Sequence, residues 1–335
     1  MSFNQFTNLD FAALRQQIKD YLRVNSDFAD FDFEGSNFST LIDLLAYNTY
    51  ITAYNTNMAV NECFLDSATL RENVVSLARN IGYVPRSARS AMATINFSVD
   101  LGTNDTRIVT LKAGQVALGN QVGGSYIFSI PDDFVATTGD NNVAIFNNLN
   151  VYEGIYLQKS FQIDYSQPNQ RFILPNANID TTSIRVTVTS TTSEIYTLYD
   201  NILRVDAESK LFLIQEIEDE HYEILFGDGI LGKKPPSGAI VNVSYIVSNG
   251  RAGNDAKNFS FIGILEDDRG LSVTSGISVI QTANKASMGD DIEDISSIKY
   301  LAPRIYSSQY RAVTASDYSG IIPFVYPNVE SVTAY

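Results

Sequence analysis

The period of the hydrophobic pattern changes near Ala91, and that switch decides what kinds of structure the chain can build. Before it, apolar residues recur every three or four positions, as on one face of a helix. After it they alternate, as in a strand with one face covered. ATINFSVDL, TRIVTLKAG, YIFSI, NVAIFNNLNVYEG, RFILP, SIRVTVTS and KLFLIQEI follow one another, separated by Gly102, Gly114, Gly123, Gly124, Gly139, Gly154, Pro168 and Pro175. Many short strands at this spacing predict an all-β sandwich or barrel-like domain over residues 91–255. Helical spacing returns near Asp290, so the fold class is α+β and multidomain. Its expected parts are an N-terminal helical bundle segment over 1–90, the β-rich domain over 91–255, and a mixed helix–strand segment over 256–335.

Three helices are expected in the first segment. Asp10 caps one through about Val24, with Phe11, Leu14, Ile18 and Leu22 on one stripe. Ser36 or Asn37 caps a long second helix to about Phe64. Asp66 or Ser67 caps a third through about Asn80, ended by Gly82 and Pro85. Near the other end, Ile292, Ile295, Ile298 and Leu301 mark a helix broken by Pro303. Thr314 and Asp317 open a short helix that Pro323 stops, and VYPNVESVTAY begins a strand. A lone strand needs partners, so residues 256–335 are expected to be the start of a larger C-terminal region.

The second helix carries a distinct pattern. Leu41, Leu44, Asn48, Ile51, Asn55 and Met58 follow alternating three- and four-residue steps, the spacing of a coiled-coil seam. Asn48 and Asn55 lie one heptad apart, and an Asn buried in such a seam fixes register and partner number at a cost in stability. A helix of about 28 residues is roughly 40 Å long, more than two shorter neighbours cover. These six residues are the candidate subunit interface; the bland alternative is a domain-core helix whose Asn side chains face water.

The most heavily punctuated stretch is His221–Asn254. Tyr222, Ile224 and Phe226 alternate with Glu223 and Leu225; Val241, Val243, Tyr245 and Val247 alternate with Asn242, Ser244, Ile246 and Ser248. Between the two strands stand Gly227, Gly229, Gly232, Pro235, Pro236 and Gly238. GDGILGKK imitates a phosphate loop, but such loops need a helix directly after the glycines, whose free amides hold the anion. Gly238 and the β-branched run beyond it predict a strand instead, so Gly227, Gly229 and Gly232 are expected to form a structural turn with at least one positive φ.

Charge and residue usage narrow the chemistry. A net charge of −15 over 335 residues argues against a general binder of phosphate backbones. Cys63 is the single cysteine, which excludes an intrachain disulfide and suits assembly in a reducing cytoplasm. No run approaches the roughly 18 apolar residues of a membrane helix. Asp30, Asp32, Glu34 and Gly35 imitate a calcium loop, but Leu41 stands where the closing bidentate Glu is required. His221 is the sole histidine and no GxSxG elbow accompanies it. Its neighbours Glu216, Glu218, Asp219, Glu220 and Glu223 read as a solvated hairpin turn. Asp132–Asp133, Asp267–Asp268 and Asp290–Asp291 are adjacent pairs, as on loops or helix starts; a glycosidase needs two carboxyls spaced across a bond. No catalytic, cofactor-binding or metal-ligating residue is assigned, and the chain reads as a non-enzyme.

Three segments carry a resemblance. FGDGxxGxxPxxGxxVxVxYxxxxGxxGN resembles the glycine-rich signature of the baseplate J-like proteins of contractile phage tails, and RAVTxxDYxxxIxxxYPNV, from Arg311 to Val329, is similar to a second signature of those proteins. FEGSNFSTLIDLLAYNTYITAYNTNMAVNECFLDSATLRENVVSLARNIGYVPRSARSA resembles the opening of the baseplate wedge subunits of T-even-type phages and their cyanophage relatives. The resemblance implies a structural protein of the virion tail baseplate, assembled in the host cytoplasm. It implies as partners a second copy of the chain, other wedge proteins, and hub and sheath-initiating proteins, with neither nucleic acid nor membrane. In that family, helices of the wedge subunits form a bundle and the wedges close into a ring around the tail hub, whose rearrangement triggers sheath contraction. A phage-like injection particle, a carbohydrate-binding module and a cell-wall lytic module are the alternatives.

Overall fold

The computed structural model describes residues 7, 10–24, 37–102, 106–121, 123–139, 141–167, 169–199, 205–282, 284–326, 329 and 331–333. The described chain is α+β, with helices at both ends of the sequence and strands between them. It packs as two units. One, the helical unit, combines Met1–Pro85 with Asp294–Tyr335; the other, the β unit, is Arg86–Glu293.

The helical unit contains α1 (Phe11–Val24), α2 (Asn37–Asn61), α3 (Arg71–Asn80), α4 (Ile295–Ser308) and α5 (Ala315–Val325). Asp10 caps α1, its Oδ1 accepting the amides of Ala12 (2.9 Å) and Ala13 (3.2 Å). Leu14 is buried, and Arg15 pairs with Asp43 of α2 at 2.5 Å. A separate core joins α3 to α4: Ala68, Val74, Val75, Ala78 and Tyr83 pack with Ile298, Leu301, Ala302 and Ile305, and Phe324 of α5 lies against them.

Several boundaries differ from the sequence reading. Neither Asp66 nor Ser67 caps α3, which starts at Arg71 without a side-chain cap; the Ser67 hydroxyl donates instead to the Asn61 carbonyl at 2.7 Å. The amides before α3 are taken by Glu62, just past the end of α2. Pro303 does not break α4, which runs five residues beyond it, from Ile295 through to Ser308. A mid-helix proline removes one hydrogen bond, and burial of Leu301 and Ala302 before it and Ile305 after it outweighs that loss. Pro323 likewise lies inside α5, which ends at Val325. The capping box is present: Asp317 N donates to Thr314 Oγ1 (3.3 Å), and Thr314 N to Asp317 Oδ2 (2.8 Å). Backbone and side-chain bonds from Thr314 hold the Asp317 carboxyl below its ordinary value. The expected terminal strand is not formed by Tyr326, Val329 or Ser331–Thr333, since an extended segment gains nothing without a ladder partner.

The β unit has sixteen strands among the described residues. They are β1 (Met92–Asp100), β2 (Ile108–Leu111), β3 (Gly114–Gln121), β4 (Gly124–Ile130), β5 (Phe134–Thr137), β6 (Val143–Glu153), β7 (Ile155–Gln162) and β8 (Phe172–Ile173). The rest are β9 (Ile179–Thr189), β10 (Ser193–Leu198), β11 (Leu211–Glu216), β12 (Tyr222–Phe226), β13 (Ile240–Val247), β14 (Lys257–Phe261), β15 (Leu265–Asp267) and β16 (Gln281–Thr282). One sheet runs β14-β3-β4-β6-β1-β16, a second β7-β13-β9-β10-β11-β12-β8, and a small third β15-β2-β5. The segment after residue 256 thus adds a strand to the first sheet at β14, one to the third at β15, and another to the first at β16. All the pairings are antiparallel except β10 with β11.

Alternation places the cores. Ala93, Ile95, Phe97 and Val99 of β1 point into one cluster with Phe128 and Phe146, and the Phe97 and Phe146 rings stack at 4.6 Å. Val186, Val188, Phe212, Ile224, Val241 and Val243 form a second cluster under the seven-stranded sheet. Ile246 departs from its expected outward face and is fully buried, because the β13–β9 register shifts between Ser244 and Ile246.

Candidate functional site

α2 carries apolar residues on both its buried and its exposed sides, and among the described residues the helical unit covers one side of it. The covered side holds Ser39, Ile42, Ala46, Asn57 and Asn61. Asn57 is fully buried: its Oδ1 accepts the Thr7 amide at 3.1 Å, and its Nδ2 donates to Thr7 Oγ1 at 2.7 Å. Asn61 Nδ2 donates to the Asn57 carbonyl at 2.7 Å. Among the described residues, the asparagines buried on α2 are therefore Asn57 and Asn61, which the heptad spacing did not single out.

The six residues of the candidate seam lie on the opposite side. At about 100° per residue they centre roughly 180° from the buried stripe. Leu41, Leu44 and Ile51 are 53%, 62% and 37% exposed, Asn48 and Asn55 are exposed, and Met58 is half-buried. Leu45, Tyr47 and Tyr54 widen the same uncovered surface. Asp43 is the sole charged residue of α2, and Arg15 neutralises it. Beside this surface a shallow cavity of about 390 Å³ is lined by Thr7, Leu14, Asn48, Thr49, Thr52, Ala53 and Thr56. Thr49, Thr52 and Thr56 each donate to the carbonyl four residues back at 2.8 Å, which uses their hydroxyl protons.

The glycine-rich turn joins β12 to β13. Gly229 and Gly232 have φ of +93° and +87°. Gly227 has no such φ, but a Cβ there would stand 2.3 Å from the Gly232 carbonyl. Asp228 Oδ1 accepts the amides of Ile230 (2.8 Å) and Leu231 (2.9 Å), and those bonds hold its carboxyl below the usual value. Lys233 is engaged by Glu194 at 2.8 Å, and the chain runs from it into β13 rather than into a helix. Hydrogen bonds from Lys233 and Lys210 lower the Glu194 carboxyl. Burial pushes the neighbouring Tyr196 phenol up to about 12, with Glu194 adding to the shift.

The other sequence candidates are distributed over both units. Cys63 is exposed in the helical unit and His221 belongs to the β unit. Asp132 pairs with Arg185 at 2.9 Å and Asp133 with Lys112. Within the acidic hairpin, Asp219 and Glu220 adopt φ of +56° and +58°. Glu223 is not solvated as expected: it is 4% exposed and takes a two-pronged bond from Arg171 (2.9 and 2.8 Å) and one from Gln215 (2.8 Å). Among the described residues no three His, Cys, Asp or Glu side chains come together as a metal site requires, and no helix is long and apolar enough to cross a membrane. Asp30, Asp32, Glu34 and Gly35 lie outside the described residues.

Two stretches match family models. Residues 10–83 match the helical domain of baseplate wedge protein gp6-like proteins, and residues 159–250 match the third domain of bacteriophage baseplate wedge protein gp6. They support a baseplate wedge protein, a structural component of the tail baseplate of a virion. Among curated proteins, baseplate wedge protein gp6 of Enterobacteria phage T4 is 28% identical over 95% of this chain. The chain spans 50% of that relative's length. Among solved structures, a chain of the anti-feeding prophage baseplate aligns with 98% of this chain and 67% of its own length, at 13% identity and a TM-score of 0.34.

Proposed function

We propose that this chain is a wedge subunit that assembles with a second copy of itself and with other wedge proteins into a ring around the tail hub, and that it helps pass baseplate rearrangement to the contractile sheath. The observation that carries the reading is the uncovered face of α2. A helix apolar on both sides, with one side against its own unit, gains from burying the other against a partner. Leu41, Asn48 and Asn55 occupy one core position of the heptad and Leu44, Ile51 and Met58 the other. An Asn at the first of these positions hydrogen-bonds across a seam and restricts register. In this reading residues 1–90 are the assembly segment, 91–255 a β-rich domain and 256–335 a mixed helix–strand segment. The glycine signature and the Arg311–Val329 signature support a place among the baseplate J-like proteins.

The test replaces Leu44 and Ile51 with Asp and follows wedge assembly by native mass spectrometry, with circular dichroism as the check on folding. Loss of assembly by a folded variant is the expected result. Normal assembly removes this face from the interface.

A further inference from the structure

Arg86–Ala91 brings the chain into the β unit and Ala286–Glu293 takes it out. The two segments run side by side. Arg89 N donates to Asp290 O (2.8 Å) and Asp290 N to Arg89 O (3.0 Å); Met92 N donates to Ser287 O (2.8 Å) and Ser287 N to Met92 O (3.0 Å). At the outer end Glu293 N donates to Arg86 O at 3.1 Å, and Arg86 N donates to Glu293 Oε2 at 3.0 Å. The Arg86 guanidinium also lies 3.7 Å from Asp290 and 3.8 Å from Glu293, whose side chain is 0% exposed.

A third segment, the turn Ser248–Asn254, crosses this pair. Arg251 Nε donates to Asp290 Oδ1 at 2.6 Å, and Arg251 N to Asp291 Oδ1 at 3.1 Å. Asn254 and Gly289 exchange two bonds, of 2.9 and 2.8 Å. A fourth segment comes from the end of β6. Glu153, fully buried, accepts from Ser248 Oγ (2.8 Å), Asn249 N (3.0 Å) and Asn249 Nδ2 (2.7 Å). On the far side, buried Asp180 of β9 accepts the Ser90 amide at 2.9 Å.

Glycines make the crossing possible. A Cβ on Gly250 would stand 2.3 Å from Asp291 Oδ1, one on Gly253 2.5 Å from Glu153 Cγ, and one on Gly289 2.5 Å from the Gly250 carbonyl. Buried carboxylates with several donors each are strongly bound when every partner is present and costly when one is lost. Such a knot is closed or open, with little in between.

We propose that these residues form a clasp that locks the two ends of the β unit together. The β unit then behaves as a closed insertion, which keeps its fold while the helical unit loses or exchanges its own. Inserted units with adjacent ends are suited to this, because neither end has to be held by the surrounding structure.

Hydrogen exchange read by mass spectrometry on the full chain, at rising denaturant, tests the clasp. Peptides from 71–80 and 295–308 report the helical unit; those from 86–93, 143–153 and 286–293 report the β unit. The helical peptides are expected to lose protection at lower denaturant, and the β-unit peptides together at higher. Gly250→Ala and Glu293→Gln should speed exchange in the β unit by at least about tenfold while leaving 71–80 within about twofold. If Gly250→Ala does not fold, Arg251→Ala, at a side chain 69% exposed, should give the same pattern with a change of about threefold. One shared transition in the parent chain, or variants whose β-unit exchange stays within about twofold, overturns the proposal.

Discussion

Glu62 joins two helices without belonging to either. Its carboxylate accepts Thr69 N (2.7 Å), Thr69 Oγ1 (2.6 Å), Leu70 N (3.3 Å) and Asn73 Nδ2 (2.9 Å), supplying from a distance the cap that α3 lacks. Burial pushes this carboxyl up, but the hydrogen bonds from Thr69, Asn73 and Leu70 outweigh it and hold the group below its ordinary value. A folded-state value below the unfolded one means that the stabilisation is complete above the unfolded value and is lost as pH falls through the folded one. Glu62→Gln is therefore expected to cost about 1 kcal/mol near neutral pH, and to flatten the acid side of the helical unit's stability profile. Thermal melts of parent and variant between neutral pH and about pH 3 check it. The glycines make a second contrast. Gly227→Ala forces a Cβ against the Gly232 carbonyl and should cost more than about 2 kcal/mol. Gly102, with φ +60° and open space where its Cβ would go, should cost only about 1 kcal/mol as Ala. Denaturant titrations of the two variants compare them directly.

At the scale of the element, α2 has a buried and an exposed side, and both carry apolar residues. Ile42 is 1% exposed and Leu44 is 62% exposed. Ile42→Ala should cost the isolated chain about 2–4 kcal/mol, whereas Leu44→Ala should stay within about 0.5 kcal/mol; equal costs in chemical denaturation would contradict the two-faced description. The sequence showed where α2 lies, because its apolar residues continue unbroken by Gly or Pro from Asn37 to Asn61. It also showed the period-two strands, since β1 keeps strict alternation over Met92–Asp100. It did not show which asparagines are buried, because the bonding partner of Asn57 is Thr7, fifty residues away in sequence. Pro303 misled because local propensity carries no information on Ile298 and Ile305 packing across it. Glu153, Arg251, Asp290 and Glu293 were invisible as a group, since their spacing follows no period and the topology alone brings them together.

For the whole molecule, charge and the apolar face act in opposite directions on self-association. The chain carries a formal −15, so two copies repel at long range, while Leu41, Leu44, Asn48, Ile51, Asn55 and Met58 bring no charge into a contact. Added salt screens the repulsion, over about 10 Å at 0.1 M, and leaves apolar burial intact. Pairing through α2 should therefore strengthen with salt. An interface built on ion pairs would weaken, because its attraction is what the salt screens. Sedimentation velocity of the chain alone, from about 0.05 to 0.5 M sodium chloride, is expected to show the dimer fraction rising. Leu44→Asp should abolish the rise at every salt concentration, because a dimer would then bury a carboxylate with no cation of α2 to meet it. A dimer fraction that falls with salt, or one that survives Leu44→Asp unchanged, would place the self-contact on a different, charged surface and leave the exposed face of α2 to another wedge protein.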